Sequence, residues 1–203
     1  MDNLIYTHLY SSTSFVVCKG AADLSRGNKF LSTYNLHYAF LKMGFTCLRF
    51  NFRGVGRSQG EFDHGVGELS DAAAALDYLQ SQIPNAKSCW VAGFSFGAWI
   101  AMQLLMRRPE VTGFIAAAPP ANNHDFGFLA PCPSSGMLIN GTADRIVPPN
   151  DVESLAEKLK LQKGITITHK TIDGANHFFE PGMNLMIDIV DTYVRKRLTE
   201  NSR

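Results

Sequence analysis

Residues 88–106 read SCWVAGFSFGAWIAMQLLM, and two periodicities meet inside them. Ser88 to Gly93 is a short, continuously apolar run, as in a strand buried on both faces. Ala98 to Arg107 repeats its apolar residues at helical spacing. Between them, Gly93-Phe94-Ser95-Phe96-Gly97 matches G-x-S-x-G in the order strand, turn, helix. Turning directly from strand to helix strains the central residue, and side chains two positions before or after it would collide, so the turn demands glycine there. Such a turn lifts Ser95 Oγ clear of the backbone. It also sets the Phe96 N–H at a helix N-terminus, free to donate to an oxyanion. A five-residue pattern with two glycines also recurs by chance, so the remainder of the chain has to decide.

The alternation extends in both directions. Ser14–Cys18 (SFVVC), Phe45–Phe50 (FTCLRF), Thr112–Ala118 (TGFIAAA), Gly136–Gly141 (GMLING) and Ile165–Ile172 (ITITHKTI) read as further strands. Helices are expected over Leu31–Met43, Gly67–Gln82, Asn150–Leu161 and Met183–Leu198. Gly44, Pro109 and Gly164 serve as stop signals, and Asn150 or Asp151 as a cap. Strands alternating with helices imply parallel crossovers and a three-layer α/β/α sandwich around a mostly parallel sheet. Such folds carry their chemistry on loops at the carboxyl ends of the strands.

A length of 203 residues suits one domain able to bury a full core. Nineteen Lys and Arg balance eighteen Asp and Glu, leaving a formal charge of +1 and nothing to favour nucleic acid as a partner. The four cysteines are widely spaced, with no C-x-x-C and no paired histidines, so they read as reduced core thiols rather than a zinc site or disulfide framework. The N-terminal MDNLIYTHLYSSTS lacks the basic start and long apolar run of a secretory signal. We therefore expect a cytoplasmic location and no membrane association, and as a partner a second copy of the chain.

A serine hydroxyl needs a base, itself oriented by an acid, before it attacks a carbonyl at neutral pH. Asp144 follows the strand GMLING, and His177 follows the strand ITITHKTI. Singly, an Asp after a strand is a common turn former and a lone His a common satisfied polar residue. Ser95, Asp144 and His177 together supply the required residue types in the order Ser, Asp, His, each just beyond an expected strand.

GFSFG, NGTADRIVP, GANHFF and FNFRGVGRSQG together resemble the α/β-hydrolase superfamily. The particular likeness is to a small bacterial group without a lid, similar to dienelactone hydrolases and serine aminopeptidases, and it extends from Asn28 to the C-terminus. The resemblance implies an α/β-hydrolase fold with no metal and no organic cofactor. It implies Ser95 as nucleophile, His177 as general base and then acid, and Asp144 as the group that orients and charge-stabilises the imidazole. Residues 1–27 depart from the family, so a single domain over 1–203 is expected to have a shortened or altered N-terminal part. The loop KGAADLSRGN lacks the His-Gly or Gly-Gly signature of the second oxyanion donor, and Gly20 or Ala21 is left as the candidate beside Phe96.

Phe94, His64, Phe126 and Phe128 are expected to line the substrate pocket, with Leu129 beside them; ordinary loop packing is the competing account of the last three. RGVGRSQG, Arg53 to Gly60, misses both common phosphate-loop spacings and reads as a structural turn in which Arg53 pairs with a carboxylate. The expected function is a serine hydrolase of small esters, its partner a small-molecule acyl substrate. Peptidase or thioesterase chemistry at the same residues, and an inactive protein with a lost oxyanion loop, stay open.

Overall fold

In a computed structural model, residues 5–7, 13–18 and 31–200 of the protein are described. Among the described residues seven strands form one sheet: β1 (Ile5–Thr7), β2 (Thr13–Cys18), β3 (Thr46–Phe50), β4 (Ser88–Phe94), β5 (Val111–Ala117), β6 (Gly136–Gly141) and β7 (Ile167–Ile172). Their order is β1-β3-β2-β4-β5-β6-β7, with only the β1–β3 pair antiparallel. The helices are α1 (Leu31–Lys42), α2 (Val66–Gln82), α3 (Phe96–Leu105), α4 (Pro149–Lys160) and α5 (Met183–Glu200).

Side chains of successive strand residues point to opposite faces, and here both faces are covered. Trp90, Ala92 and Phe94 of β4, with Ile115 and Ala117 of β5, join one core with α1 and α5. Cys89, Val91, Phe114 and Ala116 join the other, with α2, α3 and α4. That two-sided burial is why these strands read as unbroken apolar runs. Phe94 and Phe96 fall in different cores, so Ser95 sits where the chain crosses the end of the sheet.

Three details differ from the sequence reading. Strand β1 carries no run long enough to be recognised and exists by pairing with β3. Helix α3 begins at Phe96 instead of Ala98, because β4 continues to Phe94 and Ser95 alone makes the turn. Helix α4 is capped by Pro148, with Pro149 as its first residue, rather than by Asn150 or Asp151; a proline with its φ preset and no N–H to satisfy suits that position. Among the described residues no helix is long and apolar enough to cross a membrane, and no group of His, Cys, Asp or Glu is placed to hold a metal ion.

Candidate active site

Ser95 has φ 53 and ψ −124, a left-handed backbone rare outside glycine. Its N–H donates to the Ala117 carbonyl of β5 at 2.8 Å, and its carbonyl accepts from the Ala98 N–H at 2.8 Å. The strained residue is thus held from the strand side and the helix side at once. A methyl group on Gly93 would come within 2.1 Å of the Gly97 carbonyl oxygen, so glycine is obligatory at that close approach. No acceptor among the described residues takes the Phe96 N–H, the first of α3. Gly20 and the rest of the 19–27 loop lie outside the described residues.

Asp144 and His177 arrive on adjacent loops beyond β6 and β7, whose parallel register ends at Gly141 opposite Ile172. The two loops are tied together by bonds from the Thr142 N–H to the Ile172 carbonyl (2.9 Å) and from the Ala143 N–H to the Ala175 carbonyl (3.0 Å). A methyl on Gly141 would meet that Ala175 oxygen at 2.0 Å, so a side chain there would push the loops apart. Asn176 Oδ1 accepts the Phe178 and Glu180 N–H groups, both at 2.9 Å, and braces the turn that presents His177.

The loops bring the predicted side chains into one line. His177 Nδ1 lies 2.8 Å from Asp144 Oδ2, and His177 Nε2 lies 3.1 Å from Ser95 Oγ. Asp144 and His177 are 5% and 4% exposed, so their contact is shielded from water. The other Asp144 oxygen, Oδ1, accepts the N–H groups of Ile146 and Val147 at 2.8 and 2.9 Å. Burial by itself would raise the Asp144 carboxyl. The bond to His177, the two backbone donors and the imidazole charge outweigh it and hold the carboxyl below its usual range. An ionised Asp144 favours the tautomer with hydrogen on Nδ1, leaving Nε2 to accept the serine proton.

Both chain neighbours of Ser95 are phenylalanines that pack on further rings. Phe94 lies 5.1 Å from the His177 ring and 6.0 Å from Phe178. Phe96 meets Phe62 at 5.5 Å, Trp99 at 5.7 Å and His124 at 5.8 Å. His64 is exposed and packs on Phe62 at 4.9 Å. Phe126 and Phe128 stack on each other at 6.0 Å against the core beneath α3 and α4. Phe126 also lines a cleft of about 370 Å³ between the 121–130 loop and α4. None of Ser95, Asp144 and His177 lines that cleft, so this recess and the line of the three side chains are separate features.

One supporting network was only half legible in the sequence. Arg53 pairs with Asp71 through Nε at 3.1 Å and Nη2 at 2.8 Å, the carboxylate partner expected of it. Glu68 carried no signal as a functional residue, yet it is fully buried and its carboxylate accepts the Asp63 and Gly65 N–H groups at 2.8 and 2.7 Å. It thereby shapes the loop carrying Phe62. The available cue was an acidic residue three positions after a glycine at a helix start, which is a common pattern.

The family model described as serine aminopeptidase, S33, matches residues 16–135. The chain belongs to this family. This α/β hydrolase is 54% identical to a protein of unknown function from Agrobacterium tumefaciens proposed to be an α/β hydrolase. That match has a TM-score of 0.90 and covers 97% of this chain and 91% of the other. It is 31% identical to a Xanthomonas campestris protein described as an α/β serine hydrolase without a lid, with a TM-score of 0.80 and coverage of 91% and 82%. An uncharacterised protein of Rickettsia prowazekii is 55% identical over 150 residues, which is 72% of this chain and 63% of that protein. The match therefore spans less than two thirds of that relative's length.

Proposed function

We propose that this hydrolase cleaves a small ester or related acyl compound through an acyl-enzyme on Ser95. The observation that carries the reading is the unbroken line Ser95 Oγ, His177 Nε2, His177 Nδ1, Asp144 Oδ2, at 3.1 and 2.8 Å. Ser95 Oγ attacks the carbonyl carbon while its proton passes to His177 Nε2, and the carbonyl oxygen becomes an anion facing the Phe96 N–H. Asp144 stabilises the imidazolium so formed. The tetrahedral adduct collapses, the bond to the leaving group breaks, and His177 returns the proton to the departing oxygen. Water then enters, gives a proton to His177 and attacks the acyl carbon; the bond from that carbon to Ser95 Oγ breaks, His177 returns the proton to Oγ, and the acid leaves. Gly20 is the proposed second donor to the oxyanion. Nothing in this scheme separates an ester from a thioester or a peptide, because the fold and these side chains do not choose the leaving group. The buried thiols of Cys47 and Cys132, which form no disulfide, support a reducing compartment such as the cytoplasm.

The test is covalent labelling with a fluorophosphonate probe. The wild-type protein is expected to take one label at Ser95, and folded Ser95→Ala none. A folded wild type that stays unlabelled, or equal labelling of both, would overturn the assignment.

A further inference from the structure

The two sides of Ser95 are not equivalent, and proton transfer assigns them different parts of a substrate. A leaving group must lie within reach of His177 Nε2 to receive its proton, and the His177 ring packs on Phe94 at 5.1 Å and on Phe178 at 5.3 Å. The group that stays on Ser95 points away from the imidazole, toward the Phe96 side.

On that side the rings form a herringbone. Phe62 and Phe96 are inclined at 60°, Phe96 and His124 at 67°, and Trp99 and His124 at 60° with centroids 4.5 Å apart. Such edge-to-face contacts place the positive rim of one ring on the negative face of the next. Phe62 is 49% exposed although His64 packs on it at 4.9 Å, so part of its ring surface still faces solvent. The wall is held in place: Trp99 Nε1 donates to the Asp125 carbonyl at 2.9 Å, and Glu68 anchors the loop bearing Phe62. The charges beside it are engaged elsewhere. Asp63 turns to Arg53 at 3.9 Å, and Asp125 Oδ1 accepts the Gly127 N–H. Burial also lowers the His124 imidazole, which favours its neutral form.

We propose that this wall is an acyl-group subsite selective for aryl acids, in which a planar aromatic ring on the acyl part of the substrate extends the series from Phe96 to Phe62. The inference rests on Ser95 acting as the nucleophile and adds the substrate class. Buried apolar area alone does not favour a phenyl ring over a cyclohexyl ring with the same number of carbons. Ring-to-ring geometry does, by an amount equivalent to a preference of about twofold to tenfold.

The experiment compares 3-phenylpropanoyl and 3-cyclohexylpropanoyl esters of one alcohol on the full-length protein. The wild type is expected to favour the phenyl ester in kcat/KM by about twofold to tenfold, mainly through KM. Phe62→Leu, which keeps apolar bulk and removes the ring, should bring the ratio close to one, and Phe62→Tyr should keep it. Equal rates for the two esters in the wild type, or an unchanged ratio in Phe62→Leu, overturn the aryl subsite while leaving the hydrolase reading intact. A folded wild type that cleaves neither ester and takes no fluorophosphonate label overturns both.

Discussion

Asp144 illustrates how much of the site's chemistry is settled by a single carboxylate. Both of its oxygens are engaged, Oδ2 by His177 and Oδ1 by two backbone N–H groups, so its charge is balanced although it is almost fully buried. Asp144→Asn keeps the size but presents an amide to His177 and disfavours the productive tautomer. We expect kcat to fall by about 10³- to 10⁴-fold in an ester hydrolysis assay, with much smaller change in KM. The same residue acts on stability. Its folded pKa lies below the unfolded value, so its contribution is complete above the usual carboxylate range, near about 4, and is lost as pH falls through the folded pKa. Urea midpoints below about pH 4 should therefore decline less steeply in Asp144→Asn than in the wild type. The types and order of Ser95, Asp144 and His177 were legible because each follows a strand. The role of Glu68 was not, because its partners are backbone N–H groups that a sequence does not mark.

At the scale of the elements, the sheet is fitted together by pairing large rings with missing side chains. Phe114 of β5 lies in register with Gly136 of β6, and a methyl on Gly136 would come within 2.3 Å of the Phe114 ring. Phe114 is fully buried, so it has nowhere to move. Gly136→Ala is expected to cost about 1–3 kcal/mol in urea unfolding. Trimming the ring with Phe114→Leu in the same chain should return part of that cost, and the double-mutant cycle measures the coupling. The strand pattern showed that both segments are buried strands. It could not show that these two residues face each other, because register is a property of the pair. The start of α3 follows the same logic: helical periodicity does not begin until Ala98, while the backbone turns at Ser95 to keep Phe96 over its own core.

For the molecule as a whole, pH enters through a buried histidine away from Ser95. His37 of α1 is 2% exposed, its Nδ1 has no hydrogen-bond partner among the described residues, and burial, then the charge of Arg49, bring its pKa to about 4. Because the folded value lies below the unfolded value of about 6.5, the unfolded chain binds the proton first. Stability should fall as pH drops from about 6.5 to about 4, by on the order of 3 kcal/mol over the full interval. His37→Leu should show a shallower fall in urea midpoint between pH 7.5 and pH 5. Some slope will remain, because burial also lowers His124 and His169.

The sequence by itself determined the layered parallel fold, the turn at Ser95 and the identity of its two partners, because those rest on local periodicity, on turn sterics and on chain order. The tertiary structure alone decided the 3.1 and 2.8 Å contacts that join them, the division of rings into two walls, the register of Phe114 with Gly136 and the existence of β1. These are relations between segments distant in the chain, set when loops beyond β6 and β7 are drawn together by backbone hydrogen bonds, and no local pattern encodes them.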